Sequence, residues 1–328
     1  GYGAGVYMGN GTFQMTGGAI QSCSATDGGG VYVDGGSFKM TNGTISDCKA
    51  TNAGGGVYVS SGTFEMSGGS IENCTAYEGA GVKVLVSSGK ASFSMSGGTI
   101  EGSSRDGVSI AAIDSGTSEF SMSGGTIKDN SRYGVWVDNG SAVMSGGSVK
   151  GSGSYDIYIG SRAALTVDNT QVGGTVLNMG KITGQGSAEF TGTVENSGSA
   201  VAEITGCKIH RIEHRSPYNG TIEGSPDEYV YLLGRSWPKT KIPSAAGESI
   251  SLKVSSYLPP VMENTLEIPA GVTVTVDLAG KTLSAEESDF KIINHGTLTL
   301  IDSSTGGTLS IPIENDGVLN ANGGTVTS

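Results

Sequence analysis

Three sets of side chains in this 328-residue chain are of the types that acid-base or metal chemistry uses. The first is a carboxylate pair, Glu72 and Glu101, with Lys128 and Lys150 at the same place of later repeats and Arg105, Asp106, Asp129 and Arg132 nearby. Two carboxylates roughly 5 to 9.5 Å apart can cleave a glycosidic bond, one as acid and the other as nucleophile or base. The second set is His210-Arg211-Ile212-Glu213-His214, whose two imidazoles would face one metal if the segment were helical. The third is Cys23, Cys48 and Cys74, thiols of the kind that bind zinc when a CxxC-like arrangement supplies a tetrahedral set.

Whether any of these sets can act depends on the elements that hold them. Gly-Val-Tyr-Val and its variants begin at Gly5, Gly30, Gly56, Gly81, Gly107 and Gly134, and each is followed by Phe-x-Met, a pair of turn residues and a β-branched residue, as in Phe38, Met40, Asn42, Gly43 and Ile45. Self-similarity about every 25 residues marks a solenoid. The alternation within each block is that of strands, with Val31 and Val33 to one face and Tyr32 to the other. Pairs such as Gly17-Gly18, Asn42-Gly43, Gly68-Gly69, Gly97-Gly98, Gly124-Gly125 and Gly146-Gly147 supply corners. Three short strands and three corners per repeat are too few for a βαβ unit and fit one rung of a parallel β-helix. Parallel crossovers are overwhelmingly right-handed. The expected fold is therefore all-β, a right-handed parallel β-helix.

Stacking the rungs explains most of the apolar residues. Phe13, Phe38, Phe64, Phe93 and Phe120 form one interior column, and Met15, Met40, Met66, Met95, Met122 and Met144 the next. The three cysteines form another, continued by Ser103 and Asn130, and read as reduced core thiols rather than metal ligands. Ile204, Ile209 and Ile212 match interior places, so the His210 to His214 segment reads as a strand, in which residues four apart lie about 13 Å from each other. No metal and no cofactor is expected. Asp34 and Asp138 share a column four rungs apart, about 19 Å. Glu72 and Glu101, the adjacent-rung carboxylates, stand among charges of both signs, an arrangement that usually forms a mutually compensated solvated face.

From about residue 165 the repeat shortens toward 18 to 21 residues, marked by Asn178, Asn196, Asn294 and Asn315, each followed two residues later by glycine. Pro217, Pro226, Pro238, Pro243, Pro259 and Pro260 interrupt it, with Trp237 among them. Proline is excluded from the middle of a sheet. The expected organisation is a β-helix over 1–214, a Pro-rich linker or insert over 215–260, with the linker favoured, and further β-helical coils over 261–328. The formal charge of −12 disfavours nucleic acid and anionic membranes as partners. No apolar run reaches the ~20 residues of a membrane span. The chain begins mid-repeat at Gly1 without Met or signal peptide, and reads as a piece of a longer secreted protein.

Gly-Gly-(Ala/Ser/Thr)-Ile at 17–20, 68–71, 97–100 and 124–127, together with the Gly-Val-Tyr-Val strands, resembles the pectin-lyase-like right-handed β-helix repeats of bacterial surface and autotransported adhesins. It is also similar to the Gly-Gly-Ala-Ile repeat of chlamydial polymorphic outer-membrane proteins, whose partner motif Phe-x-x-Asn has no counterpart here. The run from Glu267 to Leu283 resembles the opening rung of β-helical modules in large secreted proteins of gut bacteria, and 293–302 and 313–326 continue that likeness. The resemblance implies the fold and an extracellular or cell-surface setting; function follows only by association.

Two features point to binding. The outward partner of the Val-x-Val strand is Tyr7, Tyr32, Tyr58, Lys83, Ser109, Trp136 and Tyr158, and the aromatic members, Tyr7, Tyr32, Tyr58, Trp136 and Tyr158, are the candidate ligand-binding residues, although aromatic ladders also stabilise sheets without a ligand. One corner is lengthened in two adjacent rungs, so the segments 85–92 and 111–119 are expected to project side by side, where rigid scaffolds commonly place function. The expected function is a non-catalytic surface adhesin or stalk that binds glycans or host or cell-surface proteins. The alternative is a polysaccharide lyase or glycoside hydrolase, for which Glu72 and Glu101 are the weak catalytic candidates. Regular outward Ser and Thr columns raise ice or mineral binding as a third reading, but a glycine corner separates them, so they share no flat surface.

Overall fold

The computed structural model describes residues 1–204, 207–218, 221–223, 230–232, 239–240, 246–247, 249–254, 261–262, 265–285 and 288–327, all of them strand, turn or irregular backbone. Two compact units divide the chain, Gly1–Gly192 and Thr193–Ser328.

The first unit is a stack of parallel rungs whose register matches repeat to repeat. Val6, Tyr7 and Met8 pair with Val31, Tyr32 and Val33, which pair in turn with Val57, Tyr58 and Val59. The Phe-x-Met strands stack likewise, Phe38 on Phe64 and Met40 on Met66. A one-residue slip would reverse every side chain, and the buried columns forbid it. Rings of Phe13, Phe38, Phe64, Phe93 and Phe120 stack with centroids 5.1, 4.7, 4.7 and 5.2 Å apart. Such pairs contribute about 0.5 to 1.5 kcal/mol each beyond the area they bury. Met40, Met66, Met95, Met122 and Met144 are buried beside them.

Corners follow the glycine pairs. Gly43 turns at φ 96°, in the left-handed region that a side chain resists. A second left-handed column lies two residues beyond each Ile or Val, at Ser22, Asp47, Asn73, Gly102, Asp129 and Gly151. Short polar side chains tolerate that conformation where glycine is absent.

The cysteines stack inward as free thiols, Cys48 and Cys74 fully buried and Cys23 partly so. Each donates to the carbonyl two residues back, Cys48 to Ser46 at 3.3 Å and Cys74 to Glu72 at 3.4 Å. Asn130 takes over the same place and donates to Lys128 O at 2.9 Å. Later in the unit the rungs shorten, with Val135 on Ile157 and Ile157 on Val176.

The second unit has the same construction. Thr273–Asp277 pairs in parallel with Thr297–Ile301 and that strand with Val318–Ala321, while Leu266–Ile268, Ile292–Asn294 and Ile313–Asn315 form another column. Inside the stretch read from its prolines as linker or insert, Val230–Leu232 pairs in parallel with Lys208–Tyr218 and with Ser249–Val254. Val230–Leu232, Lys239–Thr240 and Ser249–Val254 contain no proline, and Pro217 falls in the next-to-last place of Lys208–Tyr218. Pro226, Trp237, Pro238, Pro243, Pro259 and Pro260 lie outside the described residues.

Candidate functional site

The outward column opposite the Val-x-Val core runs in register from Tyr7 through Tyr32, Tyr58, Lys83, Ser109 and Trp136 to Tyr158. Its first part is a closed ladder. Tyr7 stacks on Tyr32 at 5.6 Å and 12°, and Tyr32 on Tyr58 at 5.0 Å and 5°. Asp34 accepts from the Tyr7 hydroxyl at 2.9 Å and from Ser60 Oγ at 2.8 Å. Exposure falls from 52% at Tyr7 to 9% at Tyr58. Burial pushes the Tyr58 and Tyr32 hydroxyls above the usual tyrosine range, and the hydrogen bond to Asp34 does so at Tyr7.

The ladder then breaks. Lys83, outward by alternation, is only 1% exposed. Its Nζ donates to Glu78 Oε2 at 2.8 Å and to Ser109 Oγ at 3.0 Å, and lies 5.4 Å from the centre of the Trp136 ring. Ser109 is too short to continue the stack, so the lysine folds over it. Without Glu78 the ammonium would be an uncompensated buried charge.

Past the break most of the aromatics meet at angles, although Tyr133 still stacks on Tyr158 at 5.1 Å and 27°. Trp136 packs edge-on to Tyr158 at 6.2 Å and 86° and to Tyr133 at 6.0 Å and 68°. Tyr155 joins Tyr133 at 5.9 Å. Arg132 lies 4.4 Å from the Tyr133 ring and 4.6 Å from the Trp136 ring, and its guanidinium grips the fully buried Asp106 through Nε at 2.7 Å and Nη2 at 2.8 Å. The Trp136 Nε1, shielded from solvent, has no hydrogen-bond partner.

Beside Trp136 opens a cleft of about 630 Å³, within the size range of small-ligand sites. It is lined by Glu78, Lys83, Leu85, Ala111, the segment from Ala112 to Asp114, Trp136, Asp138, Asn139 and Arg162. The segment from Ala112 to Asp114 belongs to the lengthened corner. Its extra residues do not hang free but prolong the pairing, Leu85 on Ala111, Val86 on Ala112, Lys90 on Thr117 and Ala91 on Ser118. Val86, Ala91 and Ser118 are buried, so these additions carry a small core of their own and form a flange. Asn139 ties it down by donating to Ala112 O at 2.9 Å.

Of the residues the sequence nominates for ligand binding, Trp136 lines the cleft and Tyr158 packs on it, whereas Tyr7, Tyr32 and Tyr58 belong to the separate ladder. Glu72 and Glu101 stand in register on neighbouring rungs of another strand column. Lys128 Nζ lies 2.7 Å from Glu101 Oε2, and that contact holds the lysine above its ordinary range. Asp106 and Arg132, grouped by sequence with those carboxylates, sit instead with the aromatic cluster. Tyr133 and Tyr155 are the cluster members that sequence reasoning overlooks. Their signal is the position two before the strand's first Val or Ile, which changes from Gly29, Gly55 and Ala80 to Asp106, Tyr133 and Tyr155. Glu78 and Arg162 also went unmarked.

His210 lies on the extended strand Lys208–Tyr218, and the His214 side chain is outside the described residues. Among the described residues no three His, Cys, Asp or Glu side chains gather as a metal site requires, and no helix is long and apolar enough to cross a membrane.

No curated protein and no solved structure matches this chain. A family model described as "Right handed beta helix region" matches residues 4–172, more than half of the sequence and the whole of the cleft. The chain belongs to the right-handed β-helix family.

Proposed function

We propose that this β-helix is a non-catalytic carbohydrate-binding protein of the cell surface, an adhesin or stalk whose cleft beside Trp136 holds a glycan. The observation that carries this reading is the coincidence of the break in the aromatic ladder with the flange and the cleft. A rigid stack of rungs supplies a fixed platform, and ligand sites favour such concave places with an aromatic wall and a few polar groups. The acidic chain and its resemblance to surface adhesin repeats support the extracellular setting. The test is a glycan-array screen of the chain beside Trp136→Ala and a variant shortened within 111–119. Binding that both changes abolish supports the reading; binding that survives both moves the site elsewhere.

A second reading, polysaccharide cleavage, draws on the carboxylates of Glu78, Asp114 and Asp138 in one cleft with Lys83. Incubation of the bound glycan with the protein and analysis of product length distinguishes the two.

A further inference from the structure

The charges around the cleft discriminate between classes of glycan. Two cations near it are already neutralised within the protein. Lys83 is tied to Glu78 and Ser109, and Arg132 is bidentate on Asp106 and enclosed by two rings. Of the charged side chains lining the cleft, Asp114, Asp138 and Arg162 are the exposed ones. A ligand therefore meets two carboxylates and one guanidinium. A polyuronate, with a carboxylate on every sugar, would place like charges against Asp114 and Asp138 with one cation to offset them. An uncharged sugar presents hydroxyl donors, which carboxylates accept strongly, and C–H faces that pack on the Trp136 ring.

We propose that the cleft selects uncharged hexose oligosaccharides and rejects polyuronates, with Asp114 and Asp138 as the specificity-determining residues. This rests on the glycan-binding reading above. Unlike a phosphate or uronate site, such a cleft depends little on ionic strength, because no net charge is neutralised on binding.

The test is calorimetric titration of the intact chain with cello-, manno- and laminari-oligosaccharides, and with galacturonate and mannuronate oligomers of equal length. At least one neutral series should bind at least about tenfold more tightly than either uronate. Its affinity should change less than about twofold between low and high salt, and fall at least about tenfold in Trp136→Ala. The double variant Asp114→Lys, Asp138→Lys should gain uronate affinity and lose the neutral ligand. Tighter binding of a uronate, abolished by Trp136→Ala, overturns the selectivity while leaving the glycan cleft in place. Absence of binding by both classes overturns the selectivity and the cleft reading together.

Discussion

The outward column behaves in two ways within one unit. From Tyr7 to Tyr58 each ring lies flat on the next, within 12° of parallel, and the last is nearly buried. From Lys83 to Tyr158 the same column, with the same parallel register, makes an ion pair, a gap and a set of crossed rings. The backbone does not distinguish them. What differs is that identical side chains on successive rungs satisfy one another, whereas Lys83 above Ser109 breaks the sequence of identical neighbours. The cleft lies where the repeat departs from itself, whereas the regular part stacks like on like.

The comparison can be broken most directly through stability. Tyr58→Ala removes a nearly buried ring from the middle of the ladder and should cost about 3 to 5 kcal/mol, seen as a shift in the denaturant midpoint, with glycan affinity unchanged. Loss of binding at full stability would mean that the ladder, and not the cleft, receives the ligand. Next in size is Asp106→Asn, which leaves Arg132 without its anionic partner among the aromatics. It should cost about 3 kcal/mol and also reduce binding, since the guanidinium packs against Trp136. A stability loss without any change in binding would separate the cluster from the site. The smallest effect concerns pH. Burial raises the Tyr58 hydroxyl in the folded chain, so stability should be full below the ordinary tyrosine value of about 10 and decline as pH rises from there toward the folded value. Tyr58→Phe should flatten that alkaline limb, whereas Tyr158→Phe, whose hydroxyl burial raises less strongly, should alter it less.

The rungs were legible because their signal repeats. Phe38, Met40 and Ile45 recur with the same neighbours, so one reading is checked by every other rung. The αL column is not legible in this way: Ser22, Asp47, Asn73 and Asp129 stand two places after Ile, but a short polar residue there reads equally as surface. The cleft was only half legible. Trp136 and the lengthened corner could be seen, yet Lys83 on an outward strand reads as solvated, and only the reach of its side chain to Glu78 buries it. Asp106 and Arg132 lie 26 residues apart, and the strand alternation does not assign one to the other. The prolines of 215–260 act in the other direction. They suggest an end to pairing, although strands as short as Val230–Leu232 fit between them.

The parallel register of the first unit has a mechanical consequence. Its backbone hydrogen bonds point from rung to rung, as in Gly30 N to Gly55 O at 3.0 Å and Val31 N to Gly56 O at 2.9 Å, so tension applied at an end loads one seam at a time. Each seam that opens frees about 25 residues, or about 85 Å of extended chain, while the seams behind it stay closed. Under pull the stack pays out slack in quanta and so acts as a shock absorber, and the flanged rungs add to their seam the pairs that Leu85, Val86 and Lys90 make.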